Sequence, residues 1–142
     1  IIKNYVSSER ILNLSVELSE YKKIYKEYEI NVVQVSRLVE QKAIDRLIKV
    51  SAKLIKENSK IHIYVIGDGP LKEKLQKQII DFNVEEKFTL LGAKKNPYPY
   101  IKNADVFGLF SYFEGYGIVI DEAKMLQKYV IITDTAAREA LK

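Results

Sequence analysis

A glycine-rich segment followed by a second glutamate is the part of the sequence best suited to chemistry. The segment is Ser111–Ile118, and its Glu114 is separated by seven residues from Glu122. Gly115 and Gly117 leave backbone N–H groups able to approach a ligand, and a helix beginning behind them would favour an anion at its N-terminus. The two carboxylates could accept hydrogen bonds from the paired hydroxyls of a ribose or a hexose. Turn glycines and two solvated glutamates would explain the same residues without a ligand.

A second segment, Ser36–Lys42, carries cations. Arg37 follows the first clear apolar run, and Lys42 opens the helical pattern that comes next. A planar arginine fork and a lysine point charge can clamp phosphate oxygens. The alternative for this segment taken alone is two surface cations.

Short apolar runs alternate along the chain with helical patterns. Most of the runs are nearly continuous in apolar residues, as expected of strands covered on both faces. Strands that alternate with helices of this length form βαβ units, so we expect a Rossmann-like α/β domain of three layers with a parallel sheet. The predicted strands are Asn31–Val35, Ile61–Ile66, Phe88–Leu91, Val106–Phe110 and Tyr129–Thr133.

The predicted sheet gives both segments a common place. Ligands of open parallel sheets bind in the crevice beyond the carboxyl ends of the strands. The loops that follow the strands should therefore face one crevice, and these loops include both chemical segments. They are Ser36–Lys42, Gly67–Pro70, Gly92–Pro97, Ser111–Gly117 and Asp134–Ala137.

Composition favours a single domain and a small anionic ligand. The 142 residues are 47% apolar, which is enough for one core. We expect a helical segment over residues 1–29 that leads into the core over residues 30–142. The 23 basic residues are interleaved with 19 acidic ones, for a net charge of +4, which argues against nucleic acid as a partner. There is no cysteine, and no segment approaches the ~20 apolar residues of a membrane span.

Short motifs along the chain follow one another in a recognisable order. They are Arg37-Leu38, Gln41-Lys42, Gly67-Asp68-Gly69-Pro70, Leu91-Gly92, Asn96-Pro97-Tyr98, Ala104-Asp105 and Ser111…Glu114-Gly115-Tyr116-Gly117…Glu122-Ala123. From about Asn31 to Glu139, this pattern resembles the C-terminal domain of family 4 retaining glycosyltransferases, which have the GT-B fold. Two departures are Ala43 and Gln127–Val130, where the family commonly has a glycine and Gly-x-Pro-Val, respectively.

The resemblance implies a role for each residue of the two segments. Arg37 and Lys42 would neutralise the diphosphate of a nucleoside-diphosphate sugar, Glu114 would contact the transferred sugar, and Glu122 would hold the ribose. Arg37, Lys42 and Glu114 would form the catalytic set. The backbone amides facing the sugar and phosphates would be those of Gly115, Tyr116, Gly117 and Ile118.

The resemblance also implies a reaction and a missing partner domain. Family members transfer a hexose with retention at the anomeric carbon and need neither a cofactor nor a metal. The sequence contains no Asp-x-Asp, and two cations can stabilise a leaving diphosphate without Mg²⁺. The chain would be one half of a GT-B enzyme, truncated at its C-terminal end and inactive without the N-terminal acceptor domain. The full-length enzyme is expected in the cytoplasm, with the inner face of the membrane as a further partner.

Other functions remain open at this point. The alternatives are a module that only binds a nucleotide sugar, or another GT-B enzyme such as a phosphorylase or an epimerase. An NAD-dependent oxidoreductase is disfavoured, because Gly67-x-Gly69 lacks the third glycine of a dinucleotide fingerprint and follows the second strand. We expect His62, in the middle of a strand, to be hydrogen-bonded within the sheet, and Asp105 to serve as a turn or cap residue.

Overall fold

A computed structural model describes residues 8–17, 20–111 and 118–132 of the chain. Within these ranges the helices are α1 (Ser8–Ser15), α2 (Tyr21–Ile24), α3 (Ile44–Glu57), α4 (Lys72–Asp81), α5 (Tyr98–Asn103) and α6 (Ile118–Met125). The strands are β1 (Ile30–Val35), β2 (Ile61–Ile66), β3 (Phe88–Gly92), β4 (Val106–Leu109) and β5 (Tyr129–Ile132), and a 3₁₀ helix spans Glu40–Lys42. None of the helices in the described ranges is long and apolar enough to cross a membrane.

The five strands form one parallel sheet in the order β3-β2-β1-β4-β5. The chain runs outward from β1 to β3 and then returns to place β4 on the other side of β1. A reversal of this kind opens a crevice at the carboxyl ends of β1 and β4, the two strands between which the order reverses. The Rossmann-like α/β fold is confirmed, and over the described residues each strand lies within one residue of its predicted bounds.

Two apolar cores lie on opposite faces of the sheet and make the three layers. Ile48 of α3 and Ile79 of α4 are fully buried in one core. Ile11 of α1, Ile101 of α5 and Ala123 of α6 are fully buried in the other. Burying a side chain of the size of isoleucine stabilises the fold by about 1.5–3 kcal/mol. The helix α1 therefore contributes to the stability of the layer that also contains α5 and α6.

The edge strand β5 departs from the expectation that both faces are covered. Val130 and Ile132 pack against the core under α6, but Tyr129 is 81% exposed and Ile131 is 51% exposed. A groove of about 450 Å³ runs beside Ile131 and is lined almost entirely by apolar side chains of α3, β1, β2 and β4. In the described residues this side of β5 is thus open, and the groove leaves part of the same face of β1 and β4 accessible as well.

Both departures from the family pattern coincide with left-handed backbone. Ala43, just before α3, has φ 52°, and Gln127, just after α6, has φ 58°. Glycine adopts this conformation freely, whereas other residues lose roughly 1–2 kcal/mol in it. The backbone therefore keeps the geometry that glycine favours at both positions, although the residue has changed.

Candidate functional site

The loops at the carboxyl ends of β1, β2 and β3 are hydrogen-bonded to one another through their backbones. The Leu38 N–H donates to the Asp68 carbonyl at 3.0 Å, and the Leu71 N–H donates back to the Leu38 carbonyl at 3.2 Å. The Gly67 N–H donates to the Gly92 carbonyl at 2.9 Å. Because these hydrogen bonds join main chains directly, the three loops are held in fixed positions relative to one another. Together they form the floor of the crevice.

The glycines of Gly67-x-Gly69 allow this close approach. A Cβ at Gly67 would lie 1.8 Å from the carbonyl oxygen of Ser36, and a Cβ at Gly69 would lie 2.5 Å from that of Leu38. Gly67 also has φ 149°, which side-chain-bearing residues rarely adopt. The pair therefore serves the packing of one loop on the next, consistent with the prediction that it is not a dinucleotide fingerprint.

A buried glutamine joins the loop after β1 to the loop after β4. Gln34 is fully buried; its Nε2 donates to the Ser36 hydroxyl at 3.0 Å, and its Oε1 accepts the Phe110 N–H at 3.0 Å. A buried amide without partners would destabilise the fold, and here each end of the amide has one. Gln34 thus aligns the start of the loop that leads to the predicted carboxylates with the loop that carries the predicted cations.

The predicted cations lie together on the loop after β1. Arg37 follows β1 and is exposed, while Lys42 is half-exposed and ends the 3₁₀ helix. Leu38, between them, is 1% exposed and anchors the loop in the core beneath α3 and α4. The anchored loop presents both cations at the carboxyl edge of the central strand.

Glu122 lies on α6, the helix that follows β4, and is half-buried. The hydroxyl of Tyr98, the first residue of α5, donates to its Oε1 at 3.0 Å. Burial raises the pKa of Glu122, and the hydrogen bond from Tyr98 works in the opposite direction. Burial, together with the nearby carboxylate, raises the pKa of Tyr98 to about 12, so this hydroxyl remains protonated and is a donor at neutral pH.

The remaining predicted residues belong to the segment between β4 and α6. Glu114, Gly115, Tyr116 and Gly117 lie outside the described residues. Ile118 is the first residue of α6, so its backbone amide belongs to the N-terminus of that helix. The structure therefore places Arg37, Lys42 and Glu122 on segments that leave the neighbouring strands β1 and β4 at their carboxyl ends.

His62 belongs to the opposite, amino edge of the sheet, where its ring is fully hydrogen-bonded. Nδ1 lies 3.0 Å from Oε2 of Glu29, and Nε2 lies 2.8 Å from Oγ1 of Thr89. Burial lowers the pKa of His62 although the Glu29 carboxylate acts to raise it. The neutral ring can donate to Glu29 and accept from Thr89, and the prediction of a histidine satisfied within the sheet is confirmed.

Asp105 also lies at the amino edge, in the bend between α5 and β4, where it bonds to the backbone of β1. Its Oδ2 accepts the Asn31 N–H at 2.7 Å, and its own N–H donates to the Asn31 carbonyl at 2.8 Å. This pair of bonds joins the start of β4 to the start of β1.

Sequence reasoning assigned no function to two residues that support this site. Gln34 interrupts the apolar run Asn31–Val35, and a lone polar residue within a predicted buried strand signals a buried hydrogen-bonding task. Tyr98 belonged to a recognised motif, but its partner is 24 residues away, so no local pattern pointed to Glu122. In the described ranges, no group of three or more His, Cys, Asp or Glu side chains could hold a metal ion.

Known proteins resemble this chain in both sequence and fold. The family described as glycosyl transferases group 1 matches residues 17–140. A glycosyltransferase of Methanocaldococcus jannaschii, itself uncharacterized, is 33% identical over 145 residues, which is 99% of this chain and 36% of that protein. The poly(ribitol-phosphate) alpha-N-acetylglucosaminyltransferase of Staphylococcus aureus is 30% identical over 103 residues, covering 72% of this chain and 21% of that protein.

Solved structures give the same picture. S. aureus TarM matches with a TM-score of 0.73 at 29% identity, covering 78% of this chain and 22% of that one. WaaG, a glycosyltransferase of lipopolysaccharide biosynthesis, matches in fold with a TM-score of 0.75 at 22% identity, over 86% of this chain and 34% of that one. The chain thus spans no more than 36% of the length of any of these proteins. With a family match over most of its length and the fold of GT-B glycosyltransferases, the chain belongs to the glycosyl transferases group 1 family.

Proposed function

We propose that this chain is the donor-binding domain of a family 4 retaining glycosyltransferase, forming the C-terminal half of a GT-B enzyme. The observation that carries the proposal is the placement of two kinds of group at one edge of the sheet. Arg37 and Lys42 follow β1, and α6 with Glu122 follows the adjacent strand β4. Ligands of open parallel sheets bind at that edge, next to the reversal in strand order.

The diphosphate of the donor would lie against the loop after β1. An arginine fork and a lysine ammonium together supply two positive charges and several N–H donors, which suits an anion of two phosphate groups. The same charges would stabilise the diphosphate as it leaves, so this chemistry needs no divalent metal. The N-terminus of α6, which begins at Ile118, would add partial positive charge to the phosphate site.

The ribose and the transferred sugar would lie along the start of α6. Glu122 would accept hydrogen bonds from the ribose hydroxyls through its carboxylate. Glu114 would do the same for the transferred hexose, where positive charge develops as the diphosphate departs. Backbone amides of the segment 115–118 would complete the contacts with the sugar and the phosphates.

A uridine nucleotide is the first ligand to test. The S. aureus protein TarM, 29% identical over the matched region, was solved in complex with UDP. GDP and ADP serve as the competing nucleotides, since base recognition is not assigned to any side chain of this chain.

Calorimetric titration of the 142-residue chain with UDP, GDP and ADP in EDTA tests the proposal. We expect one of the three to bind without metal, and Arg37→Ala to weaken binding about tenfold or more because a charge-assisted contact is lost. Lys49→Ala removes the same charge from an exposed position of α3 and is the matched control, with binding unchanged. Binding that requires added Mg²⁺, or equal losses for both variants, would contradict the proposal.

Transfer itself requires a second half. An acceptor must be held beside the anomeric carbon in near-attack geometry, and this task belongs to the acceptor domain of the proposed enzyme. We therefore propose that the chain by itself binds the donor and does not transfer it. Radiolabelled product formed by this chain alone would show that the division into two halves is wrong.

A further inference from the structure

We propose that Tyr98 is a positioning residue of the donor site, which holds the carboxylate of Glu122 in the orientation that binds the ribose hydroxyls. This inference rests on the proposed function, because it concerns the task of Glu122 there. Tyr98, the first residue of α5, would thus contribute to nucleotide binding indirectly, through the side chain of Glu122. The observation behind it is the 3.0 Å hydrogen bond from the Tyr98 hydroxyl to Oε1 of Glu122.

The bond joins two helices that arrive at the site from different strands. Tyr98 begins α5, which follows the loop after β3, whereas Glu122 lies in α6, which follows β4. Glutamate has three side-chain torsions, and a half-buried glutamate without a partner could rotate away from a ligand. A donor attached to a second helix removes that freedom before the nucleotide arrives, which is the physical basis of a preorganised site.

Tyr98 is itself held in place. Its backbone N–H donates to Oδ1 of Asn96 at 3.2 Å. The Nδ2 of Asn96 donates to the Leu14 carbonyl at 2.8 Å and to Oε2 of Glu17 at 2.9 Å. The tyrosine is therefore connected through Asn96 to α1 and the residues that follow it, so the orientation of Glu122 depends on the packing of three segments.

The bond uses only part of the hydrogen-bonding capacity of the carboxylate. An ionised carboxylate has two oxygens and about four acceptor positions. Tyr98 occupies one position on Oε1, and the other oxygen remains able to accept from vicinal hydroxyls. A ribose with its 2′ and 3′ hydroxyls fits this requirement, because both of its groups can donate to the same carboxylate.

The bond also acts on the charge of Glu122. Burial raises the pKa of this carboxyl, and the tyrosine hydrogen bond is the opposing influence. Among the described residues, the charged group that acts on Tyr98 from α1 is Arg10, which lowers the pKa of the tyrosine, while Glu122 raises it. Removing the hydroxyl should therefore raise the pKa of Glu122 and leave less of the ionised acceptor at a given pH.

Tyr98→Phe tests the inference because it removes the hydroxyl and keeps the ring. In the ligand-free chain, a ¹³C NMR titration of the Glu122 carboxyl should show a higher pKa in this variant. In calorimetry with UDP, binding should weaken about tenfold at pH 7.5, as expected for the loss of one hydrogen bond to a charged group. The ratio of variant to wild-type dissociation constants should grow as the pH falls toward 6, and taking the ratio cancels the titration of UDP itself.

Tyr25→Phe is the matched control. The Tyr25 hydroxyl donates to the Tyr100 carbonyl at 2.9 Å, so this variant also removes one tyrosine hydrogen bond to α5, away from Glu122. If both variants lower the melting temperature and only Tyr98→Phe weakens UDP binding, the effect is local to the site. Equal binding by Tyr98→Phe and the wild type would overturn the inference, even if the Glu122 pKa changes.

A double-variant cycle separates positioning from an independent contact. In a Glu122→Ala background, which removes the acceptor of the Tyr98 hydroxyl, Tyr98→Phe should weaken UDP binding no further, because the residue acts through the carboxylate. Additive losses would contradict this and would mean that Tyr98 acts on the ligand by another route. Absence of UDP, GDP and ADP binding by the wild type would instead remove the proposed function and this inference with it, while the NMR titration would still report the Tyr98–Glu122 coupling.

Discussion

Gly67 shows how strongly one residue can constrain the floor of the crevice. Its φ of 149° and the carbonyl oxygen of Ser36, 1.8 Å from where a Cβ would lie, are separate obstacles to any side chain. Gly92, the last residue of β3, also has a positive φ, 77°, but no atom lies within 4 Å of its Cβ position. A side chain at Gly67 would therefore face both a steric clash and an unfavourable φ, whereas a side chain at Gly92 would face only an unfavourable φ.

At the residue scale we therefore predict that replacement by alanine destabilises the chain more at Gly67 than at Gly92. Gly67→Ala should lower the free energy of unfolding by about 3 kcal/mol or more, because the loop after β1 must move as well as the strained backbone. Gly92→Ala should lower it by about 1–2 kcal/mol, the cost of left-handed backbone alone. Urea unfolding of both variants measures the difference. Equal losses would mean that the loops do not pack as described.

At the element scale, two helices end in the same left-handed backbone conformation although different residues adopt it. After α4, Asn83 has φ 55°, and the Val84 N–H donates to the Ile79 carbonyl at 3.1 Å. After α6, Gln127 has φ 58°, and the Lys128 N–H donates to the Ala123 carbonyl at 3.1 Å. Both helices close in the manner that glycine usually provides. Asparagine tolerates left-handed backbone better than glutamine does, so only the second closure is unfavourable.

We predict that Gln127→Gly stabilises the chain by up to about 1 kcal/mol, since relief of the left-handed strain outweighs the extra freedom of glycine in the unfolded chain. Asn83→Gly is the matched control at an equally exposed helix end, and its effect should stay within about 0.5 kcal/mol. Thermal and urea unfolding of the two variants against the wild type provide the measurement. A loss of stability in Gln127→Gly would show that the glutamine side chain contributes more than its backbone costs.

On the scale of the whole molecule, a buried polar network lies at the edge of the sheet opposite the crevice. The side chain of Glu29 is 1% exposed, accepts from Lys87 at 2.8 Å and contacts His62 at 3.0 Å. Lys26 lies further from the same carboxylate, at 3.9 Å. Burial acts to raise the pKa of Glu29, but Lys87 and His62 outweigh it and hold the pKa below its ordinary value. The network joins the segment before β1 to β2 and to the start of β3.

Acid should therefore destabilise the fold in two steps. The pKa of folded His62 lies below its ordinary 6.5, so the unfolded chain binds more protons and stability falls as the pH drops below about 6.5. Glu29 adds a further loss below about pH 4.5, as its stabilising charge is neutralised. His62 is the only histidine, so urea unfolding at pH 7.5 and 5.5 should show a smaller pH effect in His62→Gln than in the wild type. An unchanged pH effect would mean that His62 does not titrate differently on folding.

The alternation of apolar runs and helical patterns was enough to predict all five strands and the parallel α/β class, because periodicity and burial are local properties of a sequence. The same local information located the cation loop Ser36–Lys42 and the carboxylate of Glu122 at carboxyl ends, since strand direction alone places the following loop. It did not predict that Tyr129 and Ile131 of β5 are exposed among the residues that the structure describes. An apolar run shows which side chains of a strand could be buried. Whether a helix or loop packs over them depends on the arrangement of the other elements.

The tertiary structure alone decided which distant groups meet. Gln34 and Phe110 are 76 residues apart in sequence, and Tyr98 and Glu122 are 24 residues apart. Each of these bonds depends on how the helices and loops pack on a common sheet, a geometry that no local pattern encodes. The sequence by itself therefore determined the fold class and the residue types at the crevice, because backbone periodicity and strand direction suffice for both. The packing of both α5 and α6 against α1 brings the Tyr98 hydroxyl to the Glu122 carboxylate, because contacts between segments set where distant side chains meet.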